Sequence, residues 1–554
     1  MTRAMLRAAL VAVVVSMAAT GDAANDKPGE GQDLTSPVPG NPFAFIPPQC
    51  YTRTRTDGEV HNPCYTCHVR STAPNYVNDG DLQTLYDFPD PALQNRWTNM
   101  FVDRRPAISA MSDAAIMEYV RFDNYHDGEG KSELAARLRR PPAGWDINGD
   151  GVWSGFVPDI AFNFDSEGYD VTPDGERTGW RAYGYIPLPG SFLPANGSAD
   201  DVMIRLPAAF REREDGATDW SVYGVNLAIV EALIKRADVP IPPTDEAALG
   251  VDLDRDGKLG TATRIAYAFD PRNGITMSYV GKARLDLEAG RLHLAAGLFP
   301  EGTEFSHSLR YLDVSKDGIV GPAPRLKELR YARKLGWRTY SSLLDQAMND
   351  LREEHDNPDE PEAFAGDVES GIATGTGWRY QGFIEDAAGS LRPQTYEESL
   401  TCAGCHAGTG RPTDTIFSYP RKVDAPANGW FHWGADYRLG DLPDPKRPDG
   451  AGRYATYLER NHGSDEFRAN REAIDRFFPG GKSDEAAIEA LATHIGAMTD
   501  PSPRRAIDLN KAYRLIVEEQ SFDKGRNATI APMDDIIWRK VKPGTATGIE
   551  QPAD

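Results

Sequence analysis

The pattern Cys-x-x-Cys-His occurs twice in this chain of 554 residues, and nothing else in the sequence limits the structure as strongly. Two thiols one helical turn apart can form thioethers with the vinyl groups of one haem. The histidine that follows then lies below the iron as its proximal ligand. The pattern therefore predicts two covalently bound c-type haems. The residues that would hold them are Cys64, Cys67 and His68 in the first copy and Cys402, Cys405 and His406 in the second.

Two other uses of paired cysteines fit the sequence less well. A thioredoxin-like pair needs no following histidine, and a four-cysteine zinc site would not explain the histidine after both pairs. The fifth cysteine, Cys50, is left over. It is either a buried thiol or a thiolate near the first haem. Five cysteines in a chain of this length also exclude a disulfide-rich scaffold.

The first 24 residues have the layout of a secretory signal peptide. Arg3 and Arg7 precede an apolar run at residues 8–19, and small residues follow at 21–24. The run is shorter than the roughly 20 apolar residues that a spanning helix needs. We therefore expect an exported protein, periplasmic or secreted, without an integral membrane span once the signal is removed.

The chain is acidic, with 60 Lys and Arg against 83 Asp and Glu and a formal net charge of −23. Nucleic-acid binders need basic clusters, so this class is disfavoured. The acidity fits a basic redox partner in the periplasm. One segment is basic, and we interpret it as helical. It is either a solvated face or a surface for haem propionates or an acidic partner. Its residues are Arg325, Lys327, Arg330, Arg333 and Lys334.

The sixth ligand of each iron separates a carrier from an enzyme. Electron-transfer haems carry His or Met there, whereas catalytic haems keep the position open. For the first haem we predict His126, after an amphipathic helix capped by Ser112, or His61. For the second, a helix over residues 483–498 carries two candidates one turn apart. The candidate distal ligands are His126, His61, His307, His494, Met498 and His432, with His462 as a further one.

Two Asp/Gly-rich loops match the start of a calcium-binding loop, and a third, at residues 313–318, matches it more weakly. Alternating oxygen side chains and a glycine turn can wrap a hard cation. The twelfth positions, Val157, Thr263 and Pro324, are not the glutamate of an EF-hand, so we exclude ordinary EF-hands. The alternative is a surface turn. The candidate calcium ligands are Asp146, Asn148 and Asp150, then Asp252, Asp254 and Asp256, and finally Asp313 and Asp317.

The long separation of the two motifs predicts two haem domains with an insert between them. We expect a mainly α fold with irregular and some β structure, in which two helical cytochrome c-like haem regions flank a large mixed insert. The predicted boundaries are a signal peptide at 1–24, a linker at 25–40, haem domain 1 at 41–140, the mixed insert with its calcium-type loops at 141–320, a helical and acidic connector at 321–395, haem domain 2 at 396–540 and a tail at 541–554.

In its two motifs, its export and its size, the chain resembles di-haem c-type cytochromes. More loosely it resembles the di-haem cytochrome c peroxidase and large di-haem oxygenase group. The resemblance implies periplasmic electron transfer through two haems. The alternative is a di-haem redox enzyme with one electron-transfer haem and one substrate-accessible haem. The distal residues of that group have no counterpart that we can place on this chain, and no catalytic residue is identified.

Overall fold

The computed structural model describes residues 34, 46–52, 54–56, 59–61, 72–76, 88–188, 193–406, 413–417, 419–434, 438–447, 449–461, 470–533 and 537–545. These residues form thirteen strands and thirteen α-helices. The strands are β1 Thr54–Thr56, β2 Glu59–His61, β3 Tyr169–Val171, β4 Arg177–Tyr183, β5 Ala199–Arg205, β6 Val239–Asp245, β7 Thr261–Ile265, β8 Glu304–Val314, β9 Val320–Lys334, β10 Gly366–Asp367, β11 Gly371–Ala373, β12 Trp378–Glu385 and β13 Leu391–Pro393. The helices are α1 Arg105–Ala110, α2 Asp113–Arg121, α3 Glu133–Leu138, α4 Trp220–Lys235, α5 Glu246–Leu249, α6 Lys282–Glu288, α7 Tyr340–Asp356, α8 Tyr396–His406, α9 Arg453–Asn461, α10 Arg471–Phe477, α11 Glu485–Ala490, α12 Gly496–Thr499 and α13 Pro503–Glu519.

A nine-stranded antiparallel sheet is the centre of the fold. Its order is β10-β11-β12-β9-β8-β5-β4-β3, and β13 also pairs with β12. The long hairpin of β8 and β9 lies in the middle and sets His307 opposite Arg330. Two smaller antiparallel pairs, β1 with β2 and β6 with β7, lie outside this sheet.

Alternating side chains give the sheet two buried faces, as expected for strands covered on both sides. One face packs against the apolar helix α4, which Asp219 caps, and includes Ile204, Phe305 and Trp378. The opposite face buries Met203 and Leu329 in a separate cluster. Most of the circumference of α4 is buried. This helix and the sheet face that it covers form the main core.

The prediction of a mainly α fold is wrong, and β9 shows why. Its basic residues resemble a solvated helical face in the sequence, yet the segment is a strand paired with β8 and β12. Charged side chains of this strand pair with buried acidic side chains and not with water. The Nε atom of Arg325 lies 2.6 Å from Glu385 Oε1, and Lys334 pairs with Asp414. Pairing of this kind lets charged residues occupy a central strand.

Two predicted helices have different outcomes. Ser112 caps α2, as predicted, and its side chain accepts the N–H of Ala115. The segment 483–498 is broken into α11 and α12, and Asp484, the residue after the predicted cap, is the cap of α11. No helix in the described ranges is both long enough and apolar enough to cross a membrane. The domain boundaries stay a prediction.

Candidate functional site

The second Cys-x-x-Cys-His motif lies at the C-terminal end of α8. Glu398 in the first turn accepts the backbone N–H of Thr395, so the helix begins with a favourable acidic residue. Cys402 and Cys405 are three residues apart on this helix, which puts both thiols on one side. They are partly buried, as is His406. The local geometry is what two thioether bonds to one porphyrin require.

A backbone carbonyl orients the ring of His406. Its Nδ1 atom donates to the carbonyl oxygen of Thr415 over 2.7 Å. Because a carbonyl only accepts, Nδ1 carries the proton and the lone pair of the neutral ring lies on Nε2. Iron-ligating histidines are commonly oriented in this way. The rings of Tyr380 and Phe417 lie 5.1 and 5.3 Å from the His406 ring.

The turn that supplies this carbonyl is held by buried charge. Asp414 and Thr415 have φ values of 48° and 58°, a left-handed conformation that is uncommon for residues with side chains. Asp414 accepts the N–H of Phe299 over 3.0 Å and pairs with Lys334, and both charged side chains are buried. Burial raises the pKa of Asp414, and Lys334 opposes that shift. The ion pair therefore fixes a strained turn beside the motif.

His307 of β8 and Arg330 of β9 lie opposite each other near this motif. Burial lowers the pKa of His307 to about 3, and the charges of Arg330 and His406 contribute. A fifth of the His307 side chain is nevertheless accessible, and a quarter of Arg330 is. Burial works against the charge of Arg330, while the carboxylate of Glu328 supports it and raises the pKa of Arg330.

His307 also contacts a buried acid. Its Nε2 atom lies 3.6 Å from Oδ2 of Asp200, and Tyr185 donates its hydroxyl to the same oxygen. Burial raises the pKa of Asp200 well above its usual range, with the charge of Asp201 contributing. His307 is thus a neutral imidazole at neutral pH, the form that binds iron, with Nε2 turned toward Asp200.

The other candidate distal ligands in the described ranges lie elsewhere. His126 donates from one ring nitrogen to Asp123 over 2.7 Å, and its other nitrogen lies 2.9 Å from the carbonyl oxygen of Ala161. His494 is exposed, and Met498 is buried in a cluster with Ile495. His432 lies against the ring of Phe164. For His61 only the backbone, in β2, is described, and His462 lies outside the described residues.

The first motif, with Cys64, Cys67 and His68, lies outside the described residues, but the chain just after it is described. Thr72 and Pro74 line a cavity together with Thr413, which is two residues before the carbonyl that holds His406. Arg236 donates to the carbonyl of Ala73 on the same wall. The segments that follow the two motifs therefore meet at one place.

Cys50 lies near the helix of the second motif. It is partly buried in a cluster that includes Leu400 and Ala403 of α8. The sequence prediction connected it with the first haem, whose motif is not described. Its role stays a prediction.

A carboxylate cluster forms at the second Asp/Gly loop. Glu246, Asp252 and Asp254 each place an oxygen within 4.8 Å of the others. Glu246 is 1% exposed and accepts the N–H groups of Leu253 and Gly260 over 2.6 and 2.8 Å. Glu246 lies upstream of the loop, whose twelfth position is Thr263 and not an acidic residue. Three carboxylates of this kind fit a hard cation such as calcium.

The remaining Asp/Gly loops use their carboxylates differently. Asp146 accepts the N–H groups of Gly149 and Gly151 over 2.8 and 2.6 Å, and Asn148 donates to Asp150. These are the contacts of a polar turn. In the second loop, Asp256 accepts the N–H of Lys258 over 2.8 Å. In the third loop, Asp313 pairs with Arg121, and Asp317 is exposed in the turn between β8 and β9.

Sequence reasoning missed two residues of these candidate sites, one at the second motif and one at the second Asp/Gly loop. Thr415 acts through its backbone carbonyl, which no residue type signals. Glu246 lies in a four-residue helix before the loop, where an acidic residue has many ordinary explanations. In both cases only the folded chain identifies the partner.

Comparisons with known proteins identify a lipoprotein family. A family model with the description "-like lipoprotein" matches residues 34–495. An uncharacterized lipoprotein of Aquifex aeolicus (strain VF5) is 29% identical over 542 residues, covering 90% of this chain and 87% of its own. No solved structure matches. The predicted resemblance to di-haem c-type cytochromes, and to the di-haem peroxidase and oxygenase group, is wrong, because both matches are to lipoproteins.

Proposed function

The chain belongs to the lipoprotein family whose model spans residues 34–495, and from this premise we propose that it is an exported electron-transfer protein with one covalent haem at each Cys-x-x-Cys-His motif. Membership of a lipoprotein family indicates export, in agreement with the signal-like N-terminal segment. The proposal goes further and locates the folded chain in the periplasm, where a basic protein would be its redox partner.

The observation that carries the proposal is the geometry of the second motif. Two thiols lie on one side of α8, and the carbonyl of Thr415 fixes the tautomer of His406 that a haem iron needs. A haem bound there supplies a one-electron redox centre. The chain's own part is to hold the porphyrin through Cys402 and Cys405 and to exclude water around it with Tyr380 and Phe417.

Electron transfer within the molecule is supported by the shared cavity. The segment four residues after His68 and the turn that holds His406 line the same wall. Gly297 lines the same cavity, and a Cβ there would come within 2.9 Å of Pro74. Close packing of this kind holds the segment after the first motif against the wall that Thr413 also lines. A short distance between the two haems would favour rapid electron exchange.

One observation favours the second candidate function, a redox enzyme. Nε2 of His307 lies 3.6 Å from Oδ2 of Asp200, so this nitrogen is turned toward the buried acid. An iron at His406 without a second strong ligand would stay open to a small substrate. Ligation of the iron by His307 at the sixth position would support the electron carrier. An open sixth position would support the redox enzyme.

Haem content tests the proposal directly. The full chain with its signal is expressed in bacteria that carry the c-type haem maturation system, and a pyridine haemochrome assay counts the haems. We expect two haems per chain, one in the double variant Cys402→Ala/Cys405→Ala, and two in the control Cys50→Ala. Haem-free wild-type protein with titratable thiols at both motifs would refute the proposal.

Spectroscopy of the same protein separates the two functions. Two low-spin haems in EPR and visible spectra support a carrier. A high-spin haem that responds to cyanide supports the enzyme.

A structural cation is a further part of the proposal. Glu246, Asp252 and Asp254 have the oxygen chemistry that calcium prefers, and Glu246 is already buried among backbone N–H groups. Calcium would tie the loop after α5 to the β6–β7 pair and stabilise this edge of the fold.

A further inference from the structure

The outer face of helix α7, the side that carries Leu344, Asp345 and Met348, is exposed to solvent. Of the ten large apolar side chains that are exposed in the described chain, three lie between residues 335 and 348. They are Leu335, Leu344 and Met348, which are 51%, 38% and 42% exposed. Leu344 and Met348 are four residues apart, so they are neighbours on the helix surface. Exposed apolar side chains grouped in this way are typical of a protein interaction site.

Acidic residues lie beside these apolar side chains. Residues 345–362 contain eight Asp and Glu but only one Arg and no Lys. Asp345 and Glu353 are exposed, and neither pairs with a Lys or Arg in the part of the chain that the structure describes. At Glu362, burial raises the pKa, and the charge of Asp350 raises it further. The outer face of α7 therefore combines apolar contact area with negative charge that its own arginine does not balance.

The inner face of α7 packs near the segment that follows the first motif. Leu343 is buried in a small cluster with Leu298, and Tyr76 packs against this cluster. Tyr76 is eight residues after His68. An α-helix with its side chains is about 10 Å across. A protein on the outer face of α7 would therefore lie about one helix diameter from the segment that follows the first motif.

We propose that the outer face of α7 is the docking surface for a basic redox protein, whose apolar side chains contact Leu344 and Met348 and whose lysines and arginines pair with the acidic residues beside them. The inference rests on the proposed function, because one electron would pass from the reduced iron of the partner to the oxidised iron of the haem at the first motif.

Charge complementarity selects this class of partner. Acidic groups without basic neighbours attract a basic protein and speed its approach, and salt weakens this attraction by screening the charges. Apolar side chains then hold the complex together after the encounter, as they do at the centre of other protein interfaces.

The first experiment tests the apolar contact. Isothermal titration calorimetry measures the affinity of the full chain for a basic cytochrome c. We expect the double variant Leu344→Ser/Met348→Ser to bind about tenfold more weakly than wild type, because interface truncations of this kind typically have effects of this size. The matched control is Val102→Ser/Ile275→Ser, two apolar residues that are 40% and 39% exposed elsewhere on the chain. This control should bind like wild type.

The second experiment tests the charge. Stopped-flow mixing measures the rate of electron transfer from the reduced cytochrome c at several salt concentrations. We expect Asp345→Asn/Glu353→Gln to slow the reaction at low salt and to reduce its salt dependence. The control Asp174→Asn/Glu176→Gln removes the same two residue types from an exposed turn between β3 and β4, and it should leave the rate close to that of wild type.

Affinities and rates that match those of the two controls would overturn the docking surface, while two haems per chain would leave the proposed function standing. Analytical ultracentrifugation tests a different occupant. Self-association of wild type that is lost in Leu344→Ser/Met348→Ser, with unchanged binding of cytochrome c, would identify a second copy of the chain as the occupant and overturn the proposal. A chain without haem would overturn both proposals.

Discussion

The second haem motif and the Asp252 loop are two candidate sites built in opposite ways. At the motif, the charged groups are enclosed, and each finds its partner on a distant strand or turn, as Lys334 does with Asp414. At the loop, the carboxylates of Asp252 and Asp254 come from one short stretch at the surface, and Glu246 is the single buried member. Each site is marked in the sequence by its own short pattern, Cys-x-x-Cys-His at the motif and an Asp/Gly-rich stretch at the loop. We therefore expect enclosure to decide how much each site contributes to stability.

The largest effect is expected where the enclosed pair is broken. Asp414→Asn leaves the Lys334 charge buried without its counter-ion, which typically costs about 3–5 kcal/mol. Chemical denaturation measures the loss, and the haemochrome assay should show less haem at the second motif. Asp424→Asn is the control, because Asp424 pairs with Lys235 but is 92% exposed. Equal losses in the two variants would contradict the importance of enclosure.

Lowering the pH should destabilise the protein through the buried carboxylate of Glu328. Its pKa is held at about 2 in the folded protein, against 4.5 ordinarily. The contribution to stability is therefore complete above about pH 4.5 and is lost as the pH falls toward 2. Between these values the slope for one proton is about 1.4 kcal/mol per pH unit. We expect Glu328→Gln to lack this part of the acid dependence and the exposed control Glu360→Gln to retain it, as measured by denaturation at several pH values.

The sequence predicted local features better than long-range ones. The helix that carries Cys402 and the cap at Ser112 follow from spacing and residue type, and the structure has both elements. The strand β9 could not be predicted, because its basic residues are compatible with an extended segment only when buried acids such as Glu385 lie opposite. The residues of the Cys-x-x-Cys-His motif can be recognised from a short stretch of sequence. The contacts that support the motif depend on how distant segments pack against each other in the folded chain.

Removal of calcium should have a smaller effect on stability, and it should act only through the Asp252 loop. Binding at 100 times the dissociation constant stabilises a folded chain by about 2.7 kcal/mol. We therefore expect a chelator to lower the melting temperature of wild type by about 2–3 °C, because the unfolding entropy of a chain this long is large. Glu246→Gln should reduce this response, because it removes a buried charged ligand. Asp150→Asn, in a loop whose side chains bond to one another and to the backbone, should leave the response unchanged. An unchanged wild-type melting temperature would exclude a calcium site.

The smallest effect is expected at the third Asp/Gly loop. Asp313 pairs with Arg121 over 2.8 Å, but about half of the arginine side chain and a third of the aspartate are exposed. Solvent-screened pairs of this kind contribute about 0–1 kcal/mol. Asp313→Asn should therefore change the unfolding free energy by at most about 1 kcal/mol and leave the calcium response intact. A larger loss that calcium reverses would mean that this turn between β8 and β9 binds the ion, and the contrast between enclosed and exposed sites would then need another explanation.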